Sequence, residues 1–512
     1  MRIAPLFASA VVLALGCSGG DEATESHPDA ESDSSSGDAS ADGGVDTAKP
    51  IDASDSSVAT DSGTTDATDA TDATDSADAG PPTAPFAKAI TGVTGDRYGG
   101  GIAIDPRDGS VVVGGSFSGA TDFGGGTLTA VEVDAFVVKY DRSGKHVWSK
   151  RFGEAGNQYV SSVAIDATGA IYIGGNVSGT ADFGGGPLVS KGGSDPYVAK
   201  LDSSGAHVWS KIYGDAADPQ YVSGIALTPS GQLMVAGLFR GTVNLGGADL
   251  VSTGELNSFL GKLEPSGAHV WSKRFGNPPG DDFSAIATDK DGAVIVVGAV
   301  FGSIDFGGGS VAPVGSLDSF VAKFDNAGVY QWAHLYGDSS KQRGISVTTD
   351  ASANILFTLR GSGTVDFGGG GTTSPGYGHW LAKLTPAGTF VWAKSFPGTG
   401  TAEEGELYVT SNPAGEALVW GDSPQAIDFG GGSLPTKGGS DVLLARFTSA
   451  GTYVASKRLG DAAEQFARAL TVGPTGTVAL TGWFKGTIDF GVGSITAGTG
   501  GFDVIVAQTP AP

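Results

Sequence analysis

Seven times along the chain an Asp or Asn opens a glycine-rich element: Asp122, Asp182, Asn244, Asp305, Asp366, Asp428 and Asp489, spaced by 60, 62, 61, 61, 62 and 61 residues. Carboxylates on glycine-rich loops are hard oxygen donors of the kind calcium takes, and Asp122 with Asp134, Asp182 with Asp195, and Asp305 with Asp318 are the candidate pairs for a structural calcium ion. The same Asp at the head of a turn accepts backbone hydrogen bonds, and the Phe that follows it in six copies would pin a long loop to the core. Asn244 and Gly378 stand where a calcium site common to all copies would need carboxylates. No other cofactor is expected.

Nucleophile chemistry finds no such pattern. One Gly-x-Ser-x-Gly match would need Cys17 and Ser18 to follow a strand, and they do not. There is no His-Glu-x-x-His helix and no phosphate-cradling Walker sequence. The expectation is a protein that is not an enzyme.

The elements that must position these residues follow from the repeat. In the second copy, 161–166, 170–177, 196–201 and 207–213 read as four strands separated by glycine-bearing turns, which is one propeller blade. A blade is too small to bury both sheet faces alone, so neighbours must stack. The fourth strand carries Trp148, Trp209, Trp271, Trp332 and Trp392, then Ala455, and the seventh copy stops before it. The missing strand is at the other end: 86–92 aligns with 392–398, so the N-terminal strand closes the last blade, as in a ring. The expected fold is all-β: a single seven-bladed β-propeller of four-stranded blades over 86–512. His146, His207 and His269 precede the Trp by two residues on three different outer strands, so the ring spreads them apart instead of gathering a metal site.

Over 86–512 the repeats resemble the SBBP β-propeller repeats, through Asp-Phe-Gly-Gly-Gly and through Asp-Ser-Phe-Val-Ala-Lys at 318–323. That resemblance implies a fold and no activity. The run from Ala199 to Trp209 looks like the Trp-docking motif of pyrroloquinoline quinone propellers, with its aspartate displaced by one position, and is similar in this to the propeller lipoprotein that scaffolds outer-membrane barrel assembly. Repeat length and blade number differ from both.

Before the ring, Arg2 and an apolar run too short to span a bilayer form a signal peptide, 1–16. Leu13-Ala14-Leu15-Gly16-Cys17 resembles a bacterial lipobox, which implies lipidation of Cys17, the only cysteine. Residues 17–85 then read as a disordered acidic tether of Asp, Ser, Thr and Ala, with 17 acidic residues from Ser18 to Pro85 against Lys49 alone. Most of the formal charge of −25 sits there, and the ring has no basic patch, which excludes nucleic acid. A lipid-anchored monomer at the bacterial envelope, on the outer membrane, is expected.

Connections between blades lie on the face that also carries the loops between second and third strands. They bring Arg97, Tyr98, Gln158, Tyr159, Gln220, Asp282, Arg343, Glu404 and Gln465 around the channel mouth as candidate ligand-binding residues, a polar ring beside aromatics suited to a protein or glycan ligand. The expected function is a noncatalytic recognition or scaffold module. The alternatives are an enzyme with its active site at the channel mouth and a display or adhesion unit without a ligand.

Overall fold

A computed structural model describes residues 85–217, 219–254, 256–276, 281–398 and 405–511; the signal peptide, Cys17, the tether and Glu404 lie outside the described residues. The second copy shows how one blade forms. Its inner strand Gln158–Ile165, second strand Ile171–Val177, third strand Asp195–Leu201 and outer strand His207–Ile212 pair as an antiparallel meander. Strands two and three are mostly apolar because both of their faces are covered by neighbouring blades, and nearly every residue in them is buried. The outer strand alternates: Val208 is half exposed while Trp209 turns toward the next blade.

Seven such sheets are present, at 97–152, 158–212, 220–275, 281–336, 342–396, 407–459 and 465–509, here blades 1 to 7. Each inner strand lies against the inner strands of both neighbours, and that of blade 7 (Gln465–Val472) meets that of blade 1 (Arg97–Ile104), so the ring is closed. The fourth strand of blade 7 is Phe86–Gly92, paired antiparallel with Asp503–Thr509 from Phe86 opposite Gln508 to Ile90 opposite Val504. Closure therefore joins the two ends of the ring's chain within one sheet, as the alignment of 86–92 implied.

The Asp-Phe-Gly-Gly-Gly element differs in detail from a simple loop. It turns an extra short ribbon between second and third strands, such as Thr180–Asp182 with Pro187–Val189. In blade 5 this ribbon merges with its strands into Ile355–Asp366 and Gly371–Leu384.

Blades are clamped at the rim by the outer-strand Trp. Trp148, Trp209, Trp271, Trp332 and Trp392 each donate Nε1–H to a turn carbonyl of the next blade, those of Ser203, Pro265, Asn326, Pro386 and Ser449, at 3.0–3.4 Å. From the third strand Lys200, Lys262, Lys323 and Lys383 donate to four of the same five carbonyls. At the closure Phe86 takes the Trp place, against Gly144 of blade 1. At the junction of blades 6 and 7 Ala455 leaves the place empty, and nothing lies within 4 Å of where a side chain on Gly476 would begin.

Candidate functional site

Four of the expected mouth residues are fully buried: three glutamines tie the connection that precedes their blade to that blade, and Arg97 ties blade 1 to blade 7. Gln158 donates Nε2–H toward the carbonyls of Ala155, Ser178 and Thr180; Gln220 toward Asp215, Ala217 and Arg240; Gln465 toward Asp461 and Lys485. Arg97, 0% exposed, pairs with Asp503 at 2.6 Å and donates to the Thr94 and Gly95 carbonyls, binding blade 1 to blade 7. Tyr98 is buried edge-on against Trp483, ring centres 5.5 Å apart. Tyr159 is partly exposed, and Asp282 and Arg343 form an ion pair linking blades 4 and 5.

The candidate calcium carboxylates fall into two separate settings. Asp122, Asp182 and Asp305 each turn Oδ1 onto two glycine N–H groups of the ribbon tip, at 2.6–3.2 Å. Asp134, Asp195 and Asp318 begin third strands, buried, and accept the amides of Val131, Lys191 and Val314; Asp134 also holds Arg151 at 2.6 Å. Among the described residues no group of three or more His, Cys, Asp or Glu side chains is placed to hold a metal ion. His146, His207 and His269 cover the glycines of their own ribbons, Gly125, Gly185 and Gly247, on three separate blades.

The central channel is built by the seven inner strands. Six of them bulge at the same register, after Gly99, Val160, Val222, Phe283, Gly344 and Ala467, which re-aims one residue per blade. Together they line an open cavity of about 240 Å³ whose wall is Gly100, Ser161, Ser223 and Ser284 over blades 1 to 4, then Ile345, Tyr408 and Arg468 over blades 5 to 7.

Blades 5 to 7 depart from the repeat at the mouth as well. On the second strands the row that reads Ser116, Asn176, Leu238 and Ala299 becomes Arg360 and Asp422, and on the third strands Ala135, Pro196, Ser258 and Ser319 give way to His379. These substitutions converge. Arg360 Nη1 lies 3.5 Å from Glu406 Oε1, Tyr408 donates its hydroxyl to Glu406 Oε2, and Arg468 Nη1 lies 3.2 Å from Tyr408 Oη with its guanidinium over the ring. Asp422, 4% exposed, accepts Ser440 Oγ at 2.8 Å and the Ala467 amide of blade 7 at 3.3 Å.

Burial dominates the titration of this cluster. It pushes the Asp422 carboxyl up to about 7, reinforced by nearby Glu406 and only partly opposed by the Ser440 and Ala467 hydrogen bonds and by Arg360. It pushes His379 down to about 3, helped by the Arg360 charge. The Tyr408 hydroxyl is raised far above the usual phenol value by burial and by Glu406. A buried acid near neutrality beside a carboxylate, a phenol and two guanidiniums is a setting that both ligand recognition and proton transfer use. None of Arg360, His379, Glu406, Tyr408, Asp422 and Arg468 stood out as a motif; the signal that finds them is departure from the other copies at aligned strand positions.

No protein-family model matches the chain. It is similar to an uncharacterized WD repeat-containing protein of Acanthamoeba polyphaga mimivirus, 24% identical over 155 residues, a match spanning 26% of this chain and 11% of that protein. Among solved structures it is similar to Sqt1 from Chaetomium thermophilum (11% identity, TM-score 0.40, covering 84% of this chain and 100% of that one) and to YCF48 bound to D1 peptide (9%, 0.39, 84% and 96%). The propeller assignment rests on the strand pairing described above and not on these likenesses.

Proposed function

We propose that the chain is an envelope-anchored lipoprotein of the SBBP-repeat type whose propeller is a noncatalytic recognition or scaffold module, holding a protein or glycan at the mouth sector of blades 4 to 7. The lipobox-like segment ending at Cys17 supports the anchor. The observation that carries the recognition reading is the break in repeat symmetry: charged and aromatic groups concentrate on one side of an open channel whose other side is glycine and serine. A ring kept only as bulk has no reason to gather buried charge in one sector, because each such group costs desolvation.

The test is capture from detergent-solubilised envelope proteins and from envelope glycans by the full chain, compared with Arg343→Ala. Saturable capture weakened tenfold or more in the variant supports the reading, and capture of equal strength by both moves the site elsewhere.

A second reading is favoured by Asp422. Its carboxyl, raised to about 7 by burial and by the nearby Glu406, is placed to give up or take a proton near neutrality, which is what a hydrolase at the channel mouth would use. Turnover of a glycoside or ester panel that disappears in Asp422→Asn would establish it over the noncatalytic reading.

A further inference from the structure

The channel waist has a chemistry distinct from its mouth. At the bulge register Ser161, Ser223 and Ser284 come from three consecutive blades, 2, 3 and 4, and all line the cavity. In a ring of seven, blade 3 faces the junction of blades 6 and 7, and there the wall is Tyr408 and Arg468. Ser223 Oγ is buried without a hydrogen-bond partner among the described residues, and Ser284 Oγ exchanges hydrogen bonds with Asp282 and Arg343 at the rim of the mouth. A hydroxyl without a partner is normally satisfied by something, and Ser223 is one of the residues that line the open cavity.

The arrangement limits what fits. A compact oxyanion would sit on the guanidinium and leave the serine arc on the far wall unused. An extended peptide would bring backbone groups along the channel axis, whereas the polar groups here are arrayed around it at one level. A flat molecule with hydroxyls at its edge and C–H faces in its middle meets both walls: serine hydroxyls donate and accept on one side, the Arg468 fork donates on the other, and the Tyr408 ring and Ile345 offer apolar surface beside it. A cavity of about 240 Å³ has room for one sugar ring and little more.

We infer that the waist is a sugar subsite taking a single pyranose ring, the terminal residue of an envelope glycan, between the Ser161–Ser223–Ser284 arc and the Tyr408–Arg468 wall. This rests on the recognition reading and narrows its ligand to carbohydrate.

Binding of methyl glucoside, methyl galactoside and N-acetylglucosamine to the full chain by saturation-transfer NMR tests it. The expected result is saturable, about millimolar binding of at least one sugar, weakened tenfold or more by Ser223→Leu, which fills the channel, and by Arg468→Lys, which keeps the charge and loses the fork. Unchanged melting of Ser223→Leu shows that its loss is local. Absence of binding by all three sugars, or binding indifferent to Ser223→Leu, overturns the subsite. If an envelope protein is still captured in an Arg343-dependent way while no sugar binds, the recognition reading stands and the sugar subsite falls.

Discussion

Asp422 receives hydrogen bonds from Ser440 Oγ and the Ala467 amide and has no cation at ion-pair distance among the described residues. Its folded value near 7 lies above that of an unfolded aspartate, so its contribution is complete below about pH 4 and is lost as pH rises to 7, at up to about 1.4 kcal/mol per unit. His379 works in the opposite direction. Held near 3 in the fold, it stabilises fully above about 6.5, and that contribution is lost as pH falls toward 3. The two slopes oppose each other between pH 4 and 6.5. Melting profiles over that window are therefore expected to rise with pH in Asp422→Asn and to fall in His379→Gln, each measured against wild type; parallel profiles for all three would show that neither group is held as described. The acidic ribbon tips lead to another expectation. Their carboxylates are occupied by glycine amides, so chelation with EDTA is expected to leave the melting temperature unchanged within about 1 °C, and a drop of several degrees would point to bound calcium at Asp122, Asp182 or Asp305. At this scale the sequence was least legible. Gln158, Gln220 and Gln465 sit at the start of inner strands as expected, yet whether a side chain there faces the channel or turns under the connection that precedes it depends on how that connection folds, which residue type alone does not show. Arg360, His379 and Asp422 are far apart in the chain and become neighbours only through strand register.

The blade and its rim clamp were far more readable. Glycine-bearing turns and apolar runs gave four strands per copy, while the ribbons, two or three residues per strand, are too short to show any periodicity. The Trp series marked the outer strands, and what it does is now visible: one indole per blade bonded to the neighbour's turn. Trp209→Ala is expected to cost about 3–5 kcal/mol, the range for deleting a packed aromatic, read as a fall in denaturant midpoint. The reverse change is more informative. Ala455→Trp places an indole over Gly476, where the space is open, within reach of the Pro474 carbonyl by analogy with the other five junctions. A gain of about 0.5–2 kcal/mol is expected, and a loss would mean that blades 6 and 7 are spaced differently at the rim.

Closure was legible in the whole chain because the last copy lacks a strand that 86–92 supplies. The closing contact is more than backbone pairing: Phe86 packs against the turn of blade 1, and Arg97 bonds to Asp503 across the same seam. Removing 86–92 would expose the edge of Asp503–Thr509 and unseat the junction, so the truncated chain is expected to melt lower and to aggregate; a melting curve matching the intact chain would contradict a ring closed in this way. Within that ring the channel wall is glycine and serine over blades 1 to 4, and Arg360, Glu406, Tyr408 and Arg468 meet on the side of blades 5 to 7. The proposed function puts ligand binding in this sector. The measurement that tests it most directly is capture of envelope components by the full chain, run in parallel for Glu406→Gln in the charged sector and Tyr159→Phe on the opposite side of the mouth. Tenfold or greater weakening is expected for Glu406→Gln and none for Tyr159→Phe; equal binding by both variants and wild type would rule out a ligand site in this sector.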